Sequence, residues 1–100
     1  MPESSPLSIS DLLTQEEPKT EDIVDAVRDY AKRGIAIELE EFKGLVGKAR
    51  LDGLDLTLMY QSLVKAATNK EIKFEVRQKY GDIVMYLQEK IDTVNPMSNK

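Results

Sequence analysis

One hundred residues without a single Cys, His or Trp make one small domain with no disulfide framework, no thiol nucleophile and neither thiolate nor imidazole to hold a metal. Hydrophobic residues make up 41% of the chain, enough for a modest core and a marginal stability. The formal net charge of −4 hides a segregation: residues 1–25 carry seven acids against one base, whereas the stretch from Lys43 to Lys79 carries eight bases against four acids.

Residues 1–19 hold three of the four prolines, four serines and four acids. They bury little apolar surface and read as a disordered acidic tail. Within it, Ile9, Leu12 and Leu13 form a candidate partner-binding segment, and Ser10 is placed to cap a short helix over Asp11–Glu17. An isolated helix of that length is unstable in water.

Residues 20–94 read as the folded domain. Its first helix begins at Thr20 as N-cap, with Glu21, Asp22 and Asp25 where the helix dipole favours acids. Ile23, Val24, Val27, Tyr30 and Ala31 make its apolar stripe, Lys32 and Arg33 occupy its last turn, and Gly34 is a natural left-handed terminator. Ile35-Ala36-Ile37 is a short extended link whose two isoleucines are expected in the core. A second helix runs from Leu39 to Leu51 with Leu39, Phe42, Leu45, Val46 and Ala49 on one face. Gly44 and Gly47 weaken it, each by roughly 1 kcal/mol against Ala. Asp55 caps a third helix, Leu56 to Thr68, that carries Leu56, Met59, Tyr60, Leu63, Val64 and Ala67. A fourth covers Glu71 to Thr93, with Val76, Tyr80, Ile83, Val84, Leu87 and Ile91 on one side. Residues 95–100 read as a second disordered tail. The predicted fold is all-α: a small four-helix domain with an extended link at 35–37 and disordered ends.

No apolar run approaches the roughly 20 residues that span a bilayer. The start of the chain lacks the basic and apolar regions of a signal peptide. The expected location is the cytoplasm, that of the host cell if the protein is viral, with no membrane contact.

The basic residues carry the candidate chemistry, because a local positive surface attracts phosphates or acidic partners whatever the total charge. On a helix running to Leu51, Lys43, Gly47 and Arg50 share one face, and a glycine between two cations lets the backbone approach a phosphate closely. Lys48 adds a further charge. Lys70, Lys73 and Arg77 make a similar stripe at the start of the fourth helix, with Lys65 free to join either group. Two such stripes would straddle a phosphate backbone and position the protein on DNA without reading its sequence. Glu75 and Lys79 are spaced to pair. A helix–turn–helix reader fits poorly: Lys48 and Asp52 fall where that motif buries apolar groups, and Leu56-Thr57-Leu58 offers few base-reading side chains. Catalysis has little to work with. The acid pairs have solvation or capping roles, and Gly44-x-x-Gly47 lies inside a helix without the strand a phosphate loop needs. No cofactor, metal or small-molecule substrate is expected. Tyr30, Tyr60 and Tyr80 belong to apolar faces, whereas Phe74 stands on the side of Lys70 and Arg77 and is the one aromatic suited to an interface.

Several short stretches recur in a known order: Glu21-Asp22-Ile23, a basic helix end leading into Ile35 and Ile37, Leu45 followed by Lys48 and Arg50, Leu54-Asp55, the run Met59-Tyr60-Gln61-Ser62-Leu63-Val64, Thr68-Asn69-Lys70, and Ile83-Val84 before Ile91. From Glu21 to Asp92 the chain resembles the small double-stranded DNA-binding proteins of T-even-like bacteriophages, which are late-transcription accessory factors. The resemblance implies a small acidic helical protein, not an enzyme, that binds duplex DNA in support of phage transcription or DNA handling, with a host or phage transcription protein as a further partner. The basic positions named above rest on the charge pattern alone. The alternative, from another class, is an adaptor or inhibitor that binds a host protein through its acidic N-terminal segment, with DNA mimicry as one form of it.

Overall fold

A computed structural model of the chain describes residues 8–94. It contains five helices: α1 (Ile9–Thr14), α2 (Thr20–Arg33), α3 (Leu39–Lys48), α4 (Gly53–Ala67) and α5 (Phe74–Val94). There is no strand among the described residues. The all-α reading holds, and the four expected helices are present with a fifth before them. The expected tails at 1–7 and 95–100 lie outside the described residues.

The addition is α1, and it corrects the reading of residues 8–19 as disordered. Ser8, not Ser10, is the cap: its Oγ accepts the Asp11 N–H at 3.1 Å. Six residues do not hold a helix in water. Tertiary burial does, because Ile9 and Leu12 are 1% and 0% exposed in the same core as Phe42 and Leu45. The acids of the segment stay outside, so its composition looked like a tail while two of its apolar residues faced inward.

Helix α2 begins one residue earlier than a Thr20 cap requires. Lys19 precedes it without a side-chain cap, and Thr20 is already helical. Its far end is closed as expected: Gly34 sits at φ 74°, and its N–H and that of Ile35 return to the carbonyls of Ala31 and Tyr30. Ile37 is buried but Ile35 is 38% exposed, so only one isoleucine of the link enters the core. The backbone of Ile35 is engaged at both ends in closing α2, which leaves its side chain at the rim.

Helix α3 stops at Lys48 rather than Leu51, since Ala49 is extended at φ −135°, ψ 158°. Helix α4 starts earlier than expected. Asp52, not Asp55, is the N-cap, and the two form a capping box in which each carboxylate accepts the other's backbone N–H, at 2.9 and 3.4 Å. Gly53 and Leu54 are thereby drawn into the helix. Helix α5 starts at Phe74 rather than Glu71, because Asn69 makes a turn of its own: its Oδ1 accepts the Glu71 N–H and its carbonyl accepts the Ile72 N–H.

Helix α4 is central, packing most extensively against α5 and α2, while α1 rests on α3 and α2. Leu56, Met59, Leu63, Tyr80, Ile83 and Leu87 close the core along α4 and α5, each at most 2% exposed. Tyr80 brings a hydroxyl into this interior. It lies 3.0 Å from the Tyr30 carbonyl and donates there or to the Ile35 carbonyl. The Tyr30 hydroxyl in turn accepts the Ile9 N–H at 3.2 Å.

Two outcomes follow from this packing. Leu12→Ala and Leu87→Ala should each cost about 2–5 kcal/mol, read from urea unfolding; a loss at Leu12 near zero would mean that α1 is not part of the core. Burial pushes the Tyr80 phenol from 10.0 up to about 12. A raised folded value means stability is fully present below the unfolded value and is lost as pH rises through the folded one. The window is therefore pH 10 to 12, and the loss is on the order of 2–3 kcal/mol. Tyr80→Phe should cost about 1–2 kcal/mol at neutral pH and remove that part of the alkaline loss, measured as the difference in unfolding midpoints across the window.

Candidate nucleic-acid interface

The basic residues are largely free of acids. Of the eight between Lys43 and Lys79, only Lys79 makes an ion pair among the described residues, and its partner is Glu38 at 2.6 Å rather than Glu75. The other ion pair joins Arg33 to Asp29 at 2.7 Å within α2. The hydrogen bond and charge of Asp29 raise the Arg33 pKa.

These bases do not share one face. On α3, Lys43 and Gly47 stand one turn apart and are both exposed. Arg50 was expected beside them but follows the end of the helix. It lies instead with Lys48, Ala49 and Thr20 along a small crevice where Glu17 and Pro18 cross. Lys48 is turned the same way, its ammonium donating to the Gln15 carbonyl at 2.9 Å. Lys65 projects from α4 toward α2. Lys70 belongs to the turn and leaves the expected stripe, whereas Lys73 immediately precedes α5 and its carbonyl accepts the Arg77 N–H at 2.9 Å, one helical turn apart. Arg77 covers the exposed Phe74 ring, its guanidinium carbon 5.6 Å from the ring centre and its Nε buried without an acceptor.

Helix α5 separates two of the groups. Arg77 and Tyr86 are nine residues apart, about two and a half turns, and leave opposite flanks. On the Tyr86 flank α3 lies alongside: Phe42 meets the Tyr86 ring edge-on at 6.0 Å. Lys43 reaches over from α3 until its Nζ is 5.5 Å from the ring centre, and Lys90 of α5 does the same, also at 5.5 Å. Each contact is an ordinary cation–π distance. Two like charges around one ring with no carboxylate bridging them make a local positive site that an anion would relieve.

The expected partner-binding residues fare differently. Ile9 and Leu12 are consumed by the core and offer no side chain to a partner. Leu13 is half-buried, with its Cδ2 3.0 Å from where a Cβ on Gly44 would stand. Gly44 therefore makes room for α1. Gly47 has open space around it.

Sequence reasoning missed Tyr86 and Lys90. Their i, i+4 spacing on one helix is a readable signal, but the arrival of Lys43 from α3 is not. Among the described residues no group of three or more Asp or Glu is placed to hold a metal, and no helix is long and apolar enough to cross a membrane. No protein-family model, curated protein or solved structure matches the chain.

The two glycines of α3 separate in a simple test. Gly47→Ala should raise stability by about 0.5–1 kcal/mol, the ordinary helix gain. Gly44→Ala should gain less, because Leu13 must give way. Equal gains in thermal unfolding would place α1 elsewhere than on Gly44.

Proposed function

We propose that the protein is a non-catalytic binder of double-stranded DNA that grips phosphates largely without regard to sequence, with the seam of α3 and α5 as its contact face. The observation that carries this reading is the pair Lys43 and Lys90 gathered around Tyr86 without an acid partner. Gly47, one turn along α3, leaves the backbone open to close approach. Lys48 and Arg50 lie at the end of the same helix and extend the positive field, while Lys65, Lys70, Lys73 and Arg77 supply charge elsewhere on the surface. The resemblance to phage DNA-binding proteins points to duplex DNA rather than another polyanion, and to a role beside a transcription protein of host or phage.

The test is a salt titration of binding to duplexes of unrelated sequence. The logarithm of affinity should fall with the logarithm of salt by about 0.9 per phosphate neutralised. Lys43→Gln with Lys90→Gln should weaken binding about equally on every duplex and flatten that slope by about two units. Folding should be nearly unaffected, since both ammonium groups stand outside the buried core. No salt-sensitive binding at low ionic strength would end this reading. The adaptor would then lead, acting through the exposed acids Glu16, Glu17, Glu21 and Asp25 rather than through Ile9 and Leu12.

A further inference from the structure

A second concave feature lies apart from the α3–α5 seam. Helices α2 and α4 meet through small residues, Ala31 and Ala66, both nearly fully buried. Both alanines line a groove of about 670 Å³ between the two helices. Its size falls within the range of small-ligand sites, roughly 300–1,000 Å³.

The walls are charged in an unequal way. Arg28 and Lys32 stand one turn apart on α2, and Lys65 faces them from α4. None of the three makes an ion pair among the described residues. Two acids share the groove, Asp25 and Asp29. Asp29 is already spent: its Oδ2 accepts both Nε and Nη2 of Arg33, at 3.0 and 2.7 Å. Three cations therefore face one uncompensated carboxylate. Asn69 also lines the groove, and its carboxamide oxygen accepts the Glu71 N–H at 2.9 Å.

A duplex backbone is convex and would touch only the rim of such a groove. A compact anion with a flat apolar part fits it better. We propose that the α2–α4 groove binds a phosphorylated planar ligand of mononucleotide size, its phosphate held by Arg28, Lys32 and Lys65 and its ring seated in the groove between the two helices. Asp25 is the opposing charge that keeps the affinity modest. Lys65 is shared with the positive surface of the duplex reading, but Arg28 and Lys32 play no part in that reading and the duplex test alters none of the three, so the two readings can fail separately.

The experiment is a titration of the full chain with adenosine monophosphate, followed by backbone amide shifts, with adenosine and inorganic phosphate as separate arms. The nucleotide should give saturable shifts at the groove residues and bind at least about tenfold more tightly than either part alone. Arg28→Gln with Lys32→Gln should weaken it by about tenfold or more. Asp25→Asn should tighten it by about threefold, a gain that a purely structural role for Asp25 would not produce. The proposal is overturned if the nucleotide shifts nothing in the groove, if phosphate or adenosine alone matches it, or if Asp25→Asn weakens binding.

Discussion

A buried phenol organises this domain. Tyr80 is fully enclosed, and a hydroxyl taken out of water must find a partner inside. The partners within its reach are carbonyls at and just past the end of α2. The Tyr30 carbonyl already accepts the Ile35 N–H and has a second lone pair to offer. The Ile35 carbonyl lies just past the helix, so the closing turn at Gly34 and the packing of α5 meet at the same groups. Ile72 presses against Gly34, with 3.3 Å to where a Cβ would sit, and holds the incoming turn against the same corner. Tyr30 extends the arrangement by accepting the first N–H of α1. Three helices are thus registered through two tyrosines placed 50 residues apart in the chain.

The surface follows from that registration. Once α5 is fixed by its Tyr80–Ile83–Leu87 face, its flanks are fixed too. One flank receives α3 and gathers Lys79, Tyr86 and Lys90, where Glu38 and Lys43 come to meet them. The other carries Arg77 over Phe74. The positive charge of the chain is therefore dealt out to separate faces by core packing, not collected by sequence proximity.

What was legible from sequence depended on how local the physics was. Helix stripes such as Ile23, Val24, Val27 and Ala31 could be read, because periodicity and burial agree. So could Gly34, whose left-handed turn is a single-residue requirement. Element ends were harder wherever two residues competed for one role: Asp52 against Asp55, Ser8 against Ser10. The end of α3 carried the largest consequence, since Arg50 left the face of Lys43 when the helix stopped at Lys48. Nothing in a linear pattern reveals that Lys43 and Lys90 share the Tyr86 ring, or that Ile9 and Leu12 belong to the same core as Phe42 and Leu45.

Helix α1 is held differently from the rest of the fold. It has six residues, one capping serine, two buried anchors and a bond from Lys48 to the carbonyl that follows it. Such a segment either docks or melts as a unit, and it opens at a lower free energy than the α4–α5 pair. In native-state hydrogen exchange its amides would report a separate, shallower opening than those of Tyr80 and Leu87. Each opening takes Leu13 off Gly44 and uncovers the α1-facing side of the helix that carries Lys43. With Phe42 still held against Tyr86, α3 would stay docked on α5 while its Gly44 side met solvent, so the stability of α1 sets how often a second side of the Lys43 helix is presented by an otherwise folded domain.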